Sequence, residues 1–581
     1  MQQVSGPPLE GVHRGAHLLE PAMDWAARSP GRIVAEYESG GRWHDVTAAG
    51  MWRRVRGVAK GFVADGLKPG DRVALMSSTR YEWTVLDEAI LAAGGVTVPI
   101  YETASADQVD WILRDSGAAV LLTETPAMAD AVPVAGVARG SIETGALDAL
   151  AERGAGVHDT ELDTRLSMIS SDGLATIVYT SGTTGRPKGC PLTHGNLVAN
   201  VAQNLDAVGD MLRDDDSLLL FLPLAHCLTR IVALTLRAKG VKVAYGRGVA
   251  SLPDDLLAVR PTLLVAVPRV FEKAYEAAER MARTEHKEAV FRHAVKVAVH
   301  WSEHERHGGA GTRLEHAAFD HVLYARVRRA FGGRLRFAMS GGGPLGDRLT
   351  HFYNGVGIRV FEGYGLTETS PTLTINRELA WRPGTVGRPV AGTTIAIAPD
   401  GEVLARGPQV FSGYWNDEVS TREVLDGDGW FRTGDIGELD DDGFLRITGR
   451  KKDLIVTAGG KNVAPAPLED RLRAHPIISE AVVIGDGRPF ITALVTLDAE
   501  AAREFASHDV ERLVRDAVAA ANQTVSRAES IREYAVLPSD FTIEAEELTP
   551  TLKVRRAAVQ QRYAELIESM YTHGAPRGGL T

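Results

Sequence analysis

The chain has 581 residues, which is more than a single hydrophobic core usually supports, so we expect at least two domains. Hydrophobic residues make up 44% of the chain and charged residues 24%, which is typical of a soluble globular protein. The net charge of -11 argues against a nucleic-acid-binding protein, because such a protein needs a basic face to neutralise phosphates.

The N-terminal residues and the cysteines indicate the compartment. Residues 1–15 contain no apolar run that could serve as a signal peptide. No segment reaches the roughly 18 to 20 continuous apolar residues that a membrane span requires. Cys190 and Cys227 are the two cysteines, so we expect no disulfide framework, no zinc site and two thiols that simply fill space. These features predict a cytoplasmic protein.

Helical and strand patterns alternate in the first part of the chain. Residues 54–67 and 81–94 have helical patterns, whereas 72–77 and 96–101 are short β-prone runs. This alternation predicts βαβ units and a mostly parallel sheet. Because further β-prone runs occur downstream, we expect one large α/β region; these runs are 218–224, 241–246, 262–268 and 357–365.

A loop rich in small and hydroxylated residues follows the β-prone run 174–179. Its sequence, YTSGTTGRPKG at 179–189, predicts a phosphate-binding loop, because glycines let backbone N–H groups close on an anion and hydroxyls add donors. A plain flexible connection is the alternative. The spacing excludes a nucleoside-triphosphatase P-loop, since Lys188 follows Pro187, and no dinucleotide fingerprint can be read across the glycines.

The chain changes character after this region. Residues 272–331 form a charge-laced helical stretch, for which we expect a solvated helical pair packed on the main domain, with a membrane-surface helix as the alternative. Short β runs with hairpin turns follow at 394–407 and 443–450.

A second domain is predicted near the C-terminus. After a boundary at 449–456 come two helical patterns and two β runs, which suit a small α+β domain; they are 467–474, 480–485, 490–497 and 509–523. We therefore expect an N-terminal domain at 1–449, with α/β layers and a β-rich subdomain, and a C-terminal α+β domain at 450–581 whose tail, 572–581, is disordered.

Six further motifs occur in order along the chain: FLPLAH at 221–226, SGGGPL at 340–345, YGLTETS at 364–370, RTGD at 432–435, GRKKD at 449–453 and TPTLK at 549–553. Together with the glycine-rich loop they resemble the adenylate-forming superfamily of acyl-CoA synthetases, luciferases and peptide-synthetase adenylation domains. Within it the chain looks like a long-chain fatty-acid–CoA ligase, on the strings VPIYETAS at 98–105, VPRVFEK at 267–273, RKKDLIVTAGGKN at 450–462 and ELTPTLKVRR at 547–556.

The resemblance implies an ATP-dependent enzyme that converts a long-chain fatty acid to acyl-AMP and then to acyl-CoA, releasing pyrophosphate and AMP. ATP, Mg²⁺ and CoA are the implied cofactor and co-substrates. A fatty acyl-AMP ligase that delivers to a carrier protein is the nearest alternative. An amino-acid-activating domain is disfavoured by the short remainder after Lys553, and an inactive binding protein by the intact Lys188, Glu368, Asp435 and Lys553. Contact with a membrane surface and a homodimer are left open.

The resemblance also implies how ATP is held. The phosphates contact Thr180, Ser181, Gly182, Thr183, Thr184, Gly185 and Lys188. Glu368 binds magnesium, with Thr184 and Thr367 beside it, because magnesium prefers hard oxygen ligands. Tyr364, followed by Gly365, stacks on adenine, while the backbone of Gly341 and Gly342 lies along the other side of the base. Asp435 accepts both ribose hydroxyls, and Arg450 reaches the nucleotide.

Four residues are implied to serve catalysis and motion. Lys553 bridges the substrate carboxylate and the α-phosphate. Lys452 is the hinge about which the mobile C-terminal domain rotates, and Gly459 lets the pantetheine of CoA pass close to the backbone. His226 occupies the position that gates the acyl tunnel, with a general base as the alternative interpretation.

Overall fold

The computed structural model describes residues 2–13, 15–132, 136–180, 186–304, 310–458, 461–503, 507–527, 529–549 and 552–572. Its strands are, in chain order, β1 (Gln2–Ser5), β2 (Ile33–Ser39), β3 (Arg42–Thr47), β4 (Arg72–Met76), β5 (Val96–Ile100), β6 (Val120–Thr123), β7 (Ala138–Ser141), β8 (Leu174–Thr180), β9 (Lys188–Thr193), β10 (Ser217–Leu220), β11 (Lys242–Tyr245), β12 (Leu263–Ala266), β13 (Phe337–Ser340), β14 (Arg359–Gly365), β15 (Thr372–Ile375), β16 (Arg388–Pro389), β17 (Thr394–Ile397), β18 (Glu402–Arg406), β19 (Phe431–Leu439), β20 (Leu445–Arg450), β21 (Ile455–Val456), β22 (Asn462–Val463), β23 (Ile478–Ile484), β24 (Ile491–Leu497) and β25 (Ile531–Val536).

The α-helices are, in chain order, α1 (Glu20–Arg28), α2 (Ala48–Ala64), α3 (Tyr81–Ala92), α4 (Ala106–Ser116), α5 (Pro126–Asp130), α6 (Ala146–Arg153), α7 (Asp159–Ser167), α8 (His194–Val208), α9 (Cys227–Lys239), α10 (Leu252–Val259), α11 (Pro268–Thr284), α12 (Glu288–Glu303), α13 (Ala310–Phe319), α14 (Ala325–Ala330), α15 (Asp347–Gly355), α16 (Glu418–Val424), α17 (Pro465–Arg473), α18 (Ala499–Arg503), α19 (Ser507–Asn522), α20 (Arg556–Arg562) and α21 (Ala564–Thr572).

The predicted βαβ units and the large α/β region are confirmed, and this region contains two large sheets. One sheet has the order β7-β6-β4-β5-β8-β9 and the other β16-β15-β14-β13-β12-β10-β11-β2-β3. A single core cluster lies between them and includes side chains of both sheets and of α2, α3, α8 and α9. Local periodicity identifies a strand but not its neighbours, so the sequence could not separate the two sheets.

The glycine-rich loop connects the two strands of an antiparallel hairpin. β8 and β9 are the antiparallel pair at the edge of the six-stranded sheet, and Thr180 lies opposite Lys188. The next helix, α8, begins only after β9. Thr180 and Lys188, which flank the glycine-rich segment, therefore belong to paired strands, and Lys188 is not at the start of a helix.

The charge-laced stretch is helical as predicted, but it is neither a pair nor simply solvated. It contains α11, α12, α13 and α14, with a π-helical turn at Asp320–Tyr324 between the last two. Phe291 of α12 is buried, and Ala294 and Ala298 of the same helix lie in the second core cluster. Gly355 permits this packing, since a Cβ there would lie 2.0 Å from the Ala298 carbonyl oxygen.

The β-rich part is a five-stranded antiparallel sheet with the order β1-β17-β18-β19-β20. The predicted hairpins at 394–407 and 443–450 are confirmed as parts of it. The sequence did not predict β1, whose residues Gln2–Ser5 pair with β17. This short segment has a largely polar sequence, and only its long-range pairing makes it a strand.

The C-terminal part has a sheet of its own, with the order β23-β24-β25, and a core formed with α17 and α19. The two predicted strands and the two predicted helices are present. β25, which pairs parallel to β24, was missed. Residues 573–581 of the predicted tail lie outside the described residues, and Thr572 ends α21.

Cys190 and Cys227 are buried and free, as predicted. Burial raises the pKa of the Cys227 thiol to about 12, so this thiol stays protonated. Among the helices in the described part of the chain, none combines the length and the apolar character needed to cross a bilayer.

Candidate active site

The ends of the glycine-rich loop are held in place by α4. Trp111 donates a hydrogen bond from Nε1 to the Pro187 carbonyl oxygen at 3.0 Å, and the Arg186 guanidinium lies 4.6 Å from the centre of the Trp111 ring. Five predicted phosphate contacts lie outside the described residues, and their roles stay predictions: Ser181, Gly182, Thr183, Thr184 and Gly185. Thr180 and Lys188 flank this gap and face each other across the hairpin.

Lys188 extends from the hairpin toward α16. Its Nζ donates to Ser420 Oγ at 2.5 Å and lies 4.0 Å from Asp417 Oδ2. The same ammonium is 5.1 Å from the centre of the Tyr414 ring. Polar and aromatic partners on three sides orient a cation at the mouth of the loop, where phosphates are predicted to bind.

The predicted metal ligand, Glu368, lies beside the same tyrosine. It occupies a 3-10 turn, Thr367–Thr369, just after β14, and its Oε1 accepts a hydrogen bond from the Tyr414 hydroxyl at 2.8 Å. The Phe411 amide donates to the Glu368 carbonyl oxygen at 2.8 Å and anchors the turn. Tyr414 thus brings the predicted phosphate-binding lysine and the predicted metal carboxylate together, and motif reasoning missed it because it is one aromatic residue in an ordinary loop.

Three predicted nucleotide residues converge here: Tyr364 and Arg450 from the last residues of β14 and β20, and Asp435 from the middle of β19. Asp435 is 4% exposed, and its Oδ2 accepts a hydrogen bond from the Tyr364 hydroxyl at 2.7 Å. Arg450, which is its register partner in the adjacent strand, places Nε 3.2 Å from Asp435 Oδ1. Burial raises the pKa of Asp435, while the Arg450 charge, the hydrogen bond from Tyr364 and the Lys553 charge oppose that rise.

Lys553 enters this cluster from the C-terminal part of the chain. A Cβ placed on Gly342 would lie 3.6 Å from Lys553 Nζ, so the ammonium runs along the predicted adenine-binding backbone. The Lys553 side chain is exposed to solvent, although many protein atoms surround it. This crowding lowers the pKa of Lys553 to about 8, the charge of Arg450 lowers it as well, and Asp435 opposes both.

A tight turn presents Lys553. The Thr549 amide donates to the Lys553 carbonyl oxygen at 2.8 Å, and the Lys553 amide donates back to Thr549 Oγ1 at 3.0 Å. Leu552 adopts a left-handed conformation with φ of +59°, which costs a residue with a side chain about 1–2 kcal/mol. Strain of this kind is often found where a functional side chain is positioned.

His226 is the N-cap residue of α9. Its Nδ1 accepts a hydrogen bond from the Leu228 amide at 3.1 Å, so a neutral ring carries its proton on Nε2. Burial and the charge of Lys553 lower the pKa of His226 to about 3. An imidazole that stays neutral, with its unprotonated nitrogen already engaged, is poorly suited to act as a base, and this geometry favours the gate interpretation.

The remaining predicted residues fall in two groups. Gly341 and Gly365 lie at the ends of β13 and β14, and a Cβ on Gly365 would lie 1.7 Å from the Pro371 carbonyl oxygen, so the chain path itself requires this glycine. Lys452 is exposed in the 3-10 turn Lys451–Asp453, between β20 and β21. Gly459 lies outside the described residues, and its role stays a prediction.

A cavity of about 500 Å³ opens next to this cluster, and the sequence did not predict it. Its wall is formed largely by loops at the carboxyl ends of parallel strands in both large sheets. Ligands commonly bind at this place in α/β proteins. The lining includes Arg80, Glu102, Glu124, Leu222 and Arg247. Ile543 and Leu552 of the C-terminal part complete it. The cavity is therefore closed on one side by the same turn that carries Lys553.

Two models of known families match the chain. The model of the AMP-binding enzyme matches residues 23–415, and the model of the AMP-binding enzyme C-terminal domain matches residues 452–575. The first match ends at residue 415, and the second begins at Lys452.

Individual proteins are similar over nearly the full length. The chain is 46% identical to the long-chain-fatty-acid–CoA ligase FadD15 of Mycobacterium bovis, over 98% of this chain and 100% of that protein. It is 45% identical to the protein of the same name from Mycobacterium tuberculosis, with the same coverage. The A domain of carboxylic acid reductase from Segniliparus rugosus, solved with AMP and a co-purified carboxylic acid, has the same fold, with a TM-score of 0.76 at 22% identity over 97% of this chain and 95% of that one.

Proposed function

The chain belongs to the family of AMP-binding enzymes, and we propose that it is a long-chain fatty-acid–CoA ligase that works in two steps. In the first, the fatty-acid carboxylate attacks the α-phosphate of ATP, forming acyl-AMP and releasing pyrophosphate. In the second, the CoA thiol attacks the acyl carbon and AMP leaves. The observation that supports this proposal most directly is the position of Lys553, which the C-terminal part delivers next to Asp435 and Gly342.

The first step requires that charge on the leaving phosphates be neutralised. We assign the β- and γ-phosphates to the loop 180–188, with Lys188 as the cation. Lys188 is already oriented by Ser420 and the Tyr414 ring, so little reorganisation is needed when the nucleotide arrives.

The residues present fit magnesium as the accompanying ion. Glu368 supplies a hard carboxylate oxygen and contacts the same tyrosine, Tyr414, as Lys188 does. A magnesium ion that binds nucleotide phosphates usually takes only one or two protein carboxylates and keeps several waters. When bound, the ion would neutralise charge on the phosphates. The Tyr414 hydroxyl fixes the rotamer of Glu368 for this role.

The nucleoside is assigned to the cluster around Asp435. The two carboxylate oxygens offer about four acceptor positions, so Asp435 can accept both ribose hydroxyls while keeping its contacts with Tyr364 and Arg450. We assign the adenine to the space between Tyr364 and the Gly341–Gly342 backbone.

Lys553 is assigned to the reacting atoms. Its ammonium would hold the substrate carboxylate against the α-phosphate and neutralise the charge that develops between them. Burial and the charge of Lys553 both lower the pKa of His226, and the contribution of Lys553 supports our assignment of the acyl gate to the neighbourhood of the reacting atoms.

The pH dependence of adenylation should report the ionisation of Lys553. Below its pKa of about 8 the side chain is an ammonium, and above it a neutral amine that cannot neutralise phosphate charge. We therefore expect kcat/KM for ATP, measured by pyrophosphate exchange, to fall as the pH rises through about 8, because this parameter reports the free enzyme. If kcat/KM for ATP has not fallen at a pH about one and a half units above that pKa, the assigned role of Lys553 is contradicted.

The second step requires the C-terminal part to move Lys553 away. We assign the hinge to Lys452, in the short turn between β20 and β21, and keep the domain boundary at residue 450. The cavity next to Lys553 is assigned to the route of CoA, because its mixed polar lining suits a pantetheine arm and because rotation would withdraw Ile543 and Leu552 from its wall.

Replacing Lys452 with proline should impair the second step more than the first. Proline fixes φ near −65° and removes a hinge that must adopt two backbone conformations. The measurement compares pyrophosphate exchange with thioester formation from supplied acyl-AMP. An overall turnover equal to that of the unaltered enzyme would argue against this hinge.

The experiment that tests the function is AMP release with ATP, magnesium and fatty acids of about eight to eighteen carbons, with and without CoA. Each buried methylene contributes about 0.8 kcal/mol, so a deep acyl site will favour long chains. Strong dependence on CoA with a maximum at long chains is expected. Acyl-AMP that accumulates without a response to CoA would instead indicate an acyl-AMP ligase, and no turnover with any acid would refute the proposal.

Fatty acid, ATP and CoA are thus the proposed partners, and the cytoplasm is the proposed location. Contact with a membrane surface and the formation of a homodimer stay predictions.

A further inference from the structure

A second contact joins the two parts of the chain away from the nucleotide cluster. It lies between α11 and the sheet of the C-terminal part. Arg269 donates from Nη2 to Ser479 Oγ at 2.8 Å, and Lys273 donates from Nζ to Asp498 Oδ2 at 3.1 Å. Arg280 lies about two helical turns after Lys273 in α11. Its Nη1 is 3.9 Å from the same Asp498 oxygen. We call Arg269, Lys273, Ser479 and Asp498 the interdomain latch.

The latch is complementary in charge. The side from α11 supplies the cations that cross the contact, and the side from the C-terminal part supplies Asp498, Glu480 and Asp540, although Arg473 of that part also pairs with Glu480 at 3.3 Å. Ser479 donates to Asp540, and Thr496 donates to the other Asp540 oxygen at 2.7 Å. Burial lowers the pKa of Arg269, but the charges of Glu480, Glu276 and Glu272 outweigh it and raise the pKa overall.

The latch is also partly shielded from water. The side chain of Arg269 is 14% exposed and that of Asp498 is 8% exposed, whereas Lys273 is 47% exposed. Shielded pairs in a network are less screened than isolated surface pairs, so Arg269 and Asp498 should contribute more than an ordinary surface ion pair. Other acids of α11 constrain the cations: Glu276 lies 3.6 Å from both Arg269 and Lys273.

The latch is tied to Lys553 through the C-terminal part itself. Arg556, three positions after Lys553, donates to both carboxylate oxygens of Glu469 in α17 at 2.6 and 2.8 Å and to the Val483 carbonyl oxygen in β23 at 2.8 Å. Ser479 belongs to the same strand β23. One strand therefore connects the latch to the turn that presents Lys553, so the orientation that closes the latch is the one that brings Lys553 to Gly342.

We propose that Arg269 and Lys273 are positioning residues for adenylation. They hold the C-terminal part in the orientation that presents Lys553, and their contacts with the C-terminal part must break before the thioester step. The proposal rests on the two-step ligase function proposed above. It assigns a role to charged residues of α11 that lie on the N-terminal side of the hinge, more than 200 positions from their partners.

The test measures the two half-reactions separately in Lys273→Gln, Arg269→Gln and the double variant. Adenylation is followed by pyrophosphate exchange, and thioester formation by single turnover of supplied acyl-AMP with CoA. We expect the double variant to lose about tenfold in adenylation, with thioester formation unchanged or faster, because an open orientation suits that step. The matched control is Arg292→Gln, which removes a cation of α12 that pairs with Glu288 of its own helix; both rates should stay within twofold of the unaltered enzyme.

A double-mutant cycle with Asp498→Asn separates the contact from general damage. If Lys273 acts through Asp498, then Lys273→Gln should have little further effect on adenylation in the Asp498→Asn background. Fully additive losses would overturn the latch, and so would equal losses in both half-reactions. If the double variant does not fold, the test uses Lys273→Gln alone, because the Lys273 side chain is half exposed on a helix surface and its replacement should not prevent folding.

Failure of the latch and failure of the proposed function give different results. An unaltered enzyme without activity in either half-reaction would refute the ligase function. An active unaltered enzyme whose Arg269→Gln and Lys273→Gln variants adenylate at the normal rate would overturn the latch alone.

Discussion

Replacing Lys553 with alanine should lower the rate of acyl-adenylate formation by about 10²–10³, because it removes a preorganised charge from the transition state. Thioester formation from supplied acyl-AMP should be spared, since Lys553 is proposed to leave the site before that step. The structure supports the first part of this expectation: the ammonium lies beside Gly342, and its pKa responds to both Asp435 and Arg450. Pyrophosphate exchange and single-turnover thioester formation measure the two rates.

A neighbouring arginine provides the control for this variant. Arg555 lies two positions along the chain and pairs with Glu546 at 3.5 Å within the C-terminal part. Arg555→Ala removes a cation from the same basic run, and both half-reactions should be unaffected. If Lys553→Ala reduced both half-reactions equally, a specific role in adenylation would be ruled out.

Replacing Asp435 with alanine should weaken the use of ATP by a comparable or larger amount. Each hydrogen bond to a charged acceptor contributes about 1.5–3 kcal/mol, so the loss of two ribose contacts corresponds to about 10²–10⁴ in kcat/KM for ATP. The change also leaves the Arg450 guanidinium and the Tyr364 hydroxyl without their present partner. The measurement is the ATP dependence of pyrophosphate exchange, with thermal unfolding to confirm that the variant is folded.

Glu438 is the matched control for Asp435. It is a carboxylate of the same strand, β19, but its side chain is 68% exposed and its partner Arg446 is 3.7 Å away. Glu438→Ala should leave kcat/KM for ATP unchanged. A loss below about tenfold in a folded Asp435→Ala variant would be too small for two charged hydrogen bonds and would remove Asp435 from the ribose site.

The nucleotide cluster illustrates what the sequence predicts well. Tyr364, Asp435, Arg450 and Lys553 are scattered over nearly 200 positions, and no local periodicity brings them together. The order of the short motifs predicted that they share a site, through resemblance to a family, and the structure places the four side chains in one cluster. Their individual roles stay predictions until the variants are measured.

Contacts made by residues outside the motifs could not be predicted. Tyr414 connects Lys188 with Glu368, yet in the sequence it is a single aromatic residue in a loop. The cavity next to Lys553 exists because loops from two sheets and the C-terminal part meet there, and the pairing of strands over long distances decides which loops meet.

The charged residues of α11 show a related limit. A helix with mixed charges is usually solvated, and the sequence analysis interpreted this stretch in that way. In the structure Lys273, which lies in that stretch, and Arg269, which lies just before it, both contact the C-terminal part, and the Arg269 side chain is only 14% exposed. Local sequence reports the composition of a helix face but not what later covers it.

The central claim is that one site first makes acyl-AMP and then transfers the acyl group to CoA. A single-turnover experiment with palmitate, ATP and magnesium tests this most directly, with CoA added only after the first phase and products identified by mass spectrometry. We expect acyl-AMP and pyrophosphate to form before CoA is added, and the acyl-AMP then to convert to palmitoyl-CoA and AMP. Acyl-AMP that persists after CoA is added, or ADP and phosphate in place of AMP and pyrophosphate, would contradict it.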